Sequence, residues 1–366
     1  MKMKKTNIIQ LLFTLAISVC MLSCSNDNDS DGLNADDQDL YISAKIGTLS
    51  LPANLKCDLH IFWKSSADTE YSYKETLSLT GDQTKMRFLN KDLKEKNYRF
   101  LFVATSSIAP EILITNKSNN ALSINDKWAD VLITSVNQLI SSENYSGILD
   151  KTGIEILDGG TIHGTLTRMV GQVVLDLFRI NNTIDNPAPI VSTAVESVLD
   201  RVYKIDIEYA NMTESVVFDS SNKLSNEGFW TGKYTQTFNI VTDSDLKVSV
   251  PQTVNGLYES PINVTGSVRI KGLYCLPSTN NLSLKYTFHY YDTTPKCGNS
   301  HQHTSDCFVT KTVVLNLPKD NLSTPLNVLP NYFTVNKGGI KFDRIIDVGA
   351  NLAFEFDTVW KNDINP

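Results

Sequence analysis

Apolar and polar residues alternate with a period of two along almost the whole of this chain, and that period belongs to β-strands. In Cys57-Asp58-Leu59-His60-Ile61-Phe62-Trp63, the residues Cys57, Leu59, Ile61 and Trp63 fall on one face. Residues 40–46 read the same way, and shorter candidates lie at 75–79 and 85–89. The run Tyr98-Arg99-Phe100-Leu101-Phe102-Val103-Ala104 is almost continuously apolar, as a central strand requires. Further strands are expected at 202–207, 214–218, 235–241, 246–250, 264–273, 282–291, 308–317, 339–348 and 352–360, separated by Asn, Asp, Gly, Ser and Pro. Many short strands between turn signals, with few helices, predict an all-β fold of two β-sandwiches.

Two stretches are less regular. Residues 128–140 have a helical look, with Val131, Leu132, Val136 and Leu139 near one face, although a strand fits too. The favoured reading of 105–160 is a long surface connection in a sandwich. The segment 161–178 is the strongest strand pattern but too long for one straight strand, and Gly164 and Gly171 are natural points for a bend. The turn-rich Asn181-Asn182-Thr183-Ile184-Asp185-Asn186-Pro187 then marks a boundary. It divides the mature chain into an N-terminal sandwich at 39–182 and a C-terminal one at 183–366, in keeping with its length.

The N-terminus is organised for export. Lys2, Lys4 and Lys5 precede an apolar stretch at 8–22 that is short and interrupted by Gln10, Thr14 and Ser18. That suits a signal peptide better than a membrane-spanning helix. Met21-Leu22-Ser23-Cys24 looks like a lipobox. Residues 1–23 are then the lipoprotein signal peptide, and Cys24 becomes an N-terminus carrying acyl chains such as palmitate, a stable membrane anchor. Residues 24–38 are acidic and polar, a solvated tether similar to the Ser/Asp-rich signal that sends lipoproteins to the outer face of the outer membrane. The expected location is the outer membrane, lipid-anchored and exposed at the cell surface.

Chemistry-bearing motifs are sparse. The net charge of −7, without a basic stripe, gives no reason to expect nucleic acid. Of six cysteines, Cys57, Cys275, Cys297 and Cys307 remain beyond Cys24, in a compartment where disulfides form. Nothing in the pattern pairs Cys57 with Cys275. Cys297 and Cys307 flank His301 and His303. Export favours a Cys297–Cys307 disulfide across a hairpin tip, while Cys297, His301, His303 and Cys307 could instead hold a structural zinc in tetrahedral fashion. No other cofactor is implied. Asp158-Gly159-Gly160-Thr161 superficially suggests a phosphate loop, but it lacks the Lys-Ser/Thr pair and leads into a strand. No nucleophile elbow, zinc-protease or dinucleotide motif is present, Glu355 and Asp357 share a polar strand face, and the tryptophans default to core packing. The chain reads as no enzyme.

Three features together resemble the fimbrillin superfamily of Bacteroidales, including its lipid-anchored anchor and accessory subunits. They are the lipobox with its acidic tether, the strand pair Leu59-His60-Ile61-Phe62-Trp63 and Tyr98–Ala104, and Gly164-Thr165-Leu166-Thr167-Arg168-Met169-Val170-Gly171-Gln172. The resemblance covers mainly residues 24–180. It implies two tandem transthyretin-like sandwiches and a fimbrial (pilus) subunit, active in cell adhesion, that assembles with other subunits by β-strand addition. In that family an arginine-specific protease frees a groove in stalk and tip subunits; here no arginine occurs before Arg87, which favours an uncleaved anchor. Leu352, Phe354, Phe356 and Trp360 form a candidate donor strand, or the last strand of their own sheet. Partners implied are fimbrial subunits, the outer membrane, and a host or glycan ligand. A surface glycan-binding lipoprotein is the alternative reading.

Overall fold

The alternation resolves into strands from the first described residue. The structure is a computed structural model describing residues 37–159, 162–180, 189–190, 199, 202–242, 248–252, 262–264, 267–295, 308–317, 326–340, 345–346 and 355–357. Strands β1 (Asp37–Ile46), β2 (Leu55–Ser65), β3 (Ser72–Ser78), β4 (Gln83–Leu89) and β5 (Lys96–Ser106) follow one another, with a short helix α1 (Asn90–Glu95) before β5. Then come β6 (Ile112–Asn116), β7 (Val131–Ser135), β8 (Tyr145–Thr152), helix α2 (Gly153–Leu157) and β9 (Ile162–Arg168). Helix α2 starts on a capping box: the Glu155 amide donates to Thr152 Oγ1, and the Glu155 carboxylate accepts from the Thr152 amide at 2.7 Å.

The first ladder runs β3-β2-β5-β8-β9-β1-β4. Strand β9 carries it round a corner, pairing with β8 at Arg168 and Thr167 but lying parallel to β1 over residues 162–166. The sheet thereby folds over on itself. Leu59, Ile61, Phe100 and Phe102 from one half meet Ile42, Ala44, Phe88 and Ile162 from the other, all buried. Each fully buried large aliphatic or aromatic side chain contributes about 1.5–3 kcal/mol to such a core.

The outer face of β2 and β5 is buried as well, through Phe62, Leu101 and Val103. A second sheet covers it, ordered β14 (Leu224–Phe229), β13 (Thr213–Phe218), β7, β6. Here the expected surface connection at 105–160 is corrected: it supplies β6, β7, β8 and α2. Helical character at 128–140 amounts to one 3-10 turn at Trp128–Asp130. The apolar spacing misled because β7 is covered on both faces, with Val131, Leu132 and Ile133 all buried, so its pattern loses the period of two. Strand β7 also pairs with β13 from the second half of the chain, Ile133 opposite Val216.

The long pattern at 161–178 is two strands. It breaks at the buried Met169-Val170, and β10 (Gly171–Ile180) starts a different sheet. At Gly171 an added Cβ would lie 2.5 Å from the Leu329 carbonyl oxygen, so a side chain would push away the turn that packs there. Strand β10, assigned from sequence to the N-terminal unit, pairs antiparallel with β18 (Ser267–Cys275) and parallel with β22 (Phe333–Ile340). A break drawn between 182 and 183 therefore leaves β10 on the wrong side of its own sheet.

That sheet is ordered β17 (Ile262–Val264), β18, β10, β22, β23 (Ile345–Ile346), with β11 (Pro189–Ile190) beside β10 and β24 (Glu355–Asp357) beside β22. Facing it is β16 (Val248–Gln252), β15 (Tyr234–Thr242), β12 (Val202–Ala210), β19 (Ser278–Pro295), β20 (Phe308–Leu317), with β21 (Leu326–Val328) beside β19. Val173, Leu175 and Leu177 of β10 pack against Ile205, Ile207, Tyr286 and Phe288 in the second core. The molecule is all β in fold class, as the alternation predicts.

Cys57 lies buried in the first core and Cys275 in the second, both as free thiols. Desolvation pushes each thiol up to about 12, which leaves both protonated and unreactive.

Candidate functional site

Strand β1 holds a distinctive position in the first sandwich. It lies inside its sheet, antiparallel to β4 from Asp37 opposite Leu89 to Ser43 opposite Gln83, and parallel to β9 from Ile42 opposite Ile162 to Ile46 opposite Leu166. Both edges of the strand therefore find backbone partners. Ile42, Ala44 and Ile46 point into the first core and Leu40 packs against it, whereas Tyr41 is 64% exposed on the outer face. Beyond β1, residues 47–50 are exposed, with Gly47 in a left-handed turn at φ +59°. Strand β10 occupies the equivalent place in the second sandwich, with an antiparallel neighbour on one side and a parallel one on the other. Only β1 of the two is attached to the chain through a short exposed turn on one side and the acidic N-terminal stretch on the other.

Electrostatics hold the start of β1 in register. Asp39 accepts from Lys85 Nζ at 2.9 Å and Arg87 Nε at 3.3 Å, both on β4. The hydrogen bond from Lys85 is the main cause that holds the Asp39 carboxyl below its ordinary range, and Asp39 in turn raises Lys85. On the same face Ser43 Oγ is hydrogen-bonded to His163 Nδ1 of β9. That pair sits on an open sheet face and joins two strands, which is a structural use of a Ser–His contact.

The remaining sites expected from sequence divide into two groups. Cys24, Cys297, His301, His303, Cys307, Leu352, Phe354 and Trp360 lie outside the described residues. Phe356 belongs to β24, whose backbone pairs with β22 of the same chain, Phe356 opposite Thr334. Among the described residues no group of three or more His, Cys, Asp or Glu side chains is placed to hold a metal.

A cleft of about 430 Å³ opens where the two sandwiches meet, lined among others by Ser146, Thr167, Arg168, Phe218, Asn222 and Lys223. Its lining contains no carboxylate, histidine or cysteine. Sequence reasoning missed it because its walls come from β8, β9, β13, β14 and the turn before β22, which no local pattern brings together. Of the described tryptophans, Trp63 packs against the first core under Lys96 and Lys74, and Trp128 stacks on Phe218 beneath Arg99. Trp230 packs against the second core and donates Nε1–H to Ser135 Oγ at 3.1 Å.

Residues 11–361 match the sequence profile of a family described as Domain of unknown function (DUF5031). The chain belongs to this family. No curated protein matches this DUF5031 chain. Among solved structures it is similar to a candidate adhesin from Bacteroides thetaiotaomicron, at 13% identity over 84% of this chain and 93% of that one, with a TM-score of 0.42. It is also similar to the fimbrial anchor protein Mfa2 of Porphyromonas gingivalis, at 11% identity over 83% and 90% of the two chains, TM-score 0.35. A third is the tip fimbrial protein Mfa3 of the same organism, at 12% identity over 84% and 97%, TM-score 0.34.

Proposed function

We propose that this DUF5031 protein is a non-catalytic, lipid-anchored cell-surface protein, an anchor or accessory subunit of a fimbrium, that joins other subunits by β-strand addition. The observation carrying the reading is the place of β1. A strand that completes an apolar core, pairs on both edges, and hangs between an exposed turn and a tether is one whose absence would leave a groove for another strand. Cys24 after an apolar export segment supplies the membrane attachment. The first arginine of the chain is Arg87, already within β4, so arginine-specific cleavage cannot release β1 from the tether. This favours a subunit that keeps its own β1 over a cleaved stalk subunit.

Capture of a glycan is the less favoured function, because the described tryptophans are engaged in packing and do not form an exposed platform. Hydrolysis is less favoured still, since the cleft lacks the paired acid and base that such chemistry needs.

Mass spectrometry of outer-membrane and sheared-filament fractions from the native host tests the proposal. The expected species is membrane-bound, begins at acylated Cys24, and co-purifies with filament subunits. A filament-bound form lacking β1 would replace the anchor with a stalk or tip role. An intact lipoprotein with no filament partner would sink the fimbrial reading.

A further inference from the structure

The cleft where the two sandwiches meet lies at a point where two strands part. The β8–β9 ladder ends at Ser146 opposite Thr167, while β8 runs on beside β5 as far as Thr152. At Gly147 the two backbones are so close that an added Cβ would collide with the Thr165 carbonyl oxygen. The rest of β9 lies beside β1 instead. The β13–β14 hairpin and the turn before β22 wall the hollow from the second half of the chain. Its volume of about 430 Å³ falls within the roughly 300–1,000 Å³ of small-molecule sites.

The walls are of two kinds. Ile148, Phe218 and Leu224 are only partly buried against the core beneath them, and Leu329 is 39% exposed, so apolar surface is left uncovered. The polar part consists of hydroxyls, an amide and two cations, Arg168 and Lys223, with no acidic side chain. Arg168 is engaged by Glu143 and Asn331. Lys223 differs. Asp219 fixes its backbone, accepting from the Ser221 and Lys223 amides at 2.8 and 2.9 Å, and Asn222 between them takes a left-handed φ of +58°. The Lys223 side chain is exposed and makes no ion pair among the described residues. A cation on a fixed turn, beside uncovered apolar walls and without an acid to meet it, is complementary to one kind of ligand.

We propose that this cleft binds an apolar carboxylate. Lys223 and Asn222 hold the carboxylate, and its hydrocarbon body lies against Ile148, Phe218, Leu224 and Leu329. A sugar acid fits less well, because apolar walls would strip water from its hydroxyls and the Phe218 ring is already stacked on Trp128. Two sources carry the required chemistry: a free apolar acid, and the terminal residue of a polypeptide.

Ligand-observed NMR titration of the mature chain without its acyl groups tests the site, with octanoate and acetyl-Leu-Leu as probes. Octanamide and acetyl-Leu-Leu amide are the uncharged controls, and glucuronate is an acid without an apolar body. At least one apolar acid should bind saturably, about fivefold tighter than its amide, with the advantage shrinking as salt is raised. Lys223→Gln should abolish that advantage. Leu329→Glu should weaken the acids more than the amides, and Lys45→Gln, on exposed β1, should change nothing. Lys223 and Leu329 are both exposed, so the variants should keep the native unfolding midpoint, measured alongside. Binding of octanoate alone would assign the site to free acids, and of acetyl-Leu-Leu alone to polypeptide ends. Four results would overturn the proposal: equal affinity for acid and amide, glucuronate binding as tightly as the apolar acids, an undiminished advantage in Lys223→Gln, or binding of neither acid.

Discussion

At the scale of the residue, His60 shows how burial makes a titratable group sensitive to pH. It sits in β2 with Nδ1 hydrogen-bonded to Thr76 Oγ1 at 2.7 Å, and that hydroxyl meets Tyr73 Oη at 2.8 Å. Burial pushes its imidazole from the ordinary 6.5 down to about 4, only partly offset by Asp58. The folded chain thus refuses a proton that the unfolded chain accepts between those values. The contribution to stability is complete above about 6.5 and is lost as pH falls towards 4. Urea unfolding at pH 7 and pH 4.5 should show the native protein losing more stability on acidification than a His60→Gln variant. Equal losses would assign the pH dependence to other groups. His60 was read from sequence simply as a strand residue, and its depressed basicity depends on neighbours that alternation does not reveal.

At the scale of the element, β1 and β9 were legible while their partnership was not. The pattern of residues 40–46 announces a strand, and Gly164 was expected to bend one. In the structure Gly164 instead stays in the ladder, and its missing side chain makes room for Phe102. Gly164→Ala should therefore cost about 1–3 kcal/mol, against less than about 0.5 kcal/mol for Thr165→Ala on the exposed face next to it. Denaturant midpoints of the two variants check this, and a neutral Gly164→Ala would mean that the ring moves aside freely. Strand β7 was the opposite case. A short strand buried on both faces looks, in a window of residues, like a turn of helix or an apolar loop, and only its partners in β13 and in the outer face of β2 and β5 define it.

At the scale of the whole molecule, the two sandwiches share structure. Strands β6 and β7 from the first half and β13 and β14 from the second make one sheet. Arg168 at the end of β9 bridges the same junction, donating to Glu143 at 2.6 Å and to Asn331, in the turn before β22, at 3.1 Å. Its side chain is 1% exposed, and an arginine this deep needs its carboxylate. Glu143→Ala should destabilise by about 3 kcal/mol, since it leaves a buried charge undercompensated. Because the shared sheet couples the halves, unfolding of both the native chain and this variant should be one transition by calorimetry. Two resolved transitions would show that the sandwiches are independent.

The sequence alone determined the fold class, the approximate position of most strands, and the lack of any familiar catalytic motif. Each of these depends on residues close together in the chain, where period, punctuation and local spacing are direct physical constraints. Only the tertiary structure decided that β10 belongs with the second sandwich, that 105–160 builds part of a shared sheet, and that Cys57 and Cys275 are separate buried thiols. It alone also set the Phe102 ring against Gly164. Those outcomes depend on which distant strands pair, and pairing is chosen by the match of whole faces, cores and registers that no stretch of sequence contains by itself.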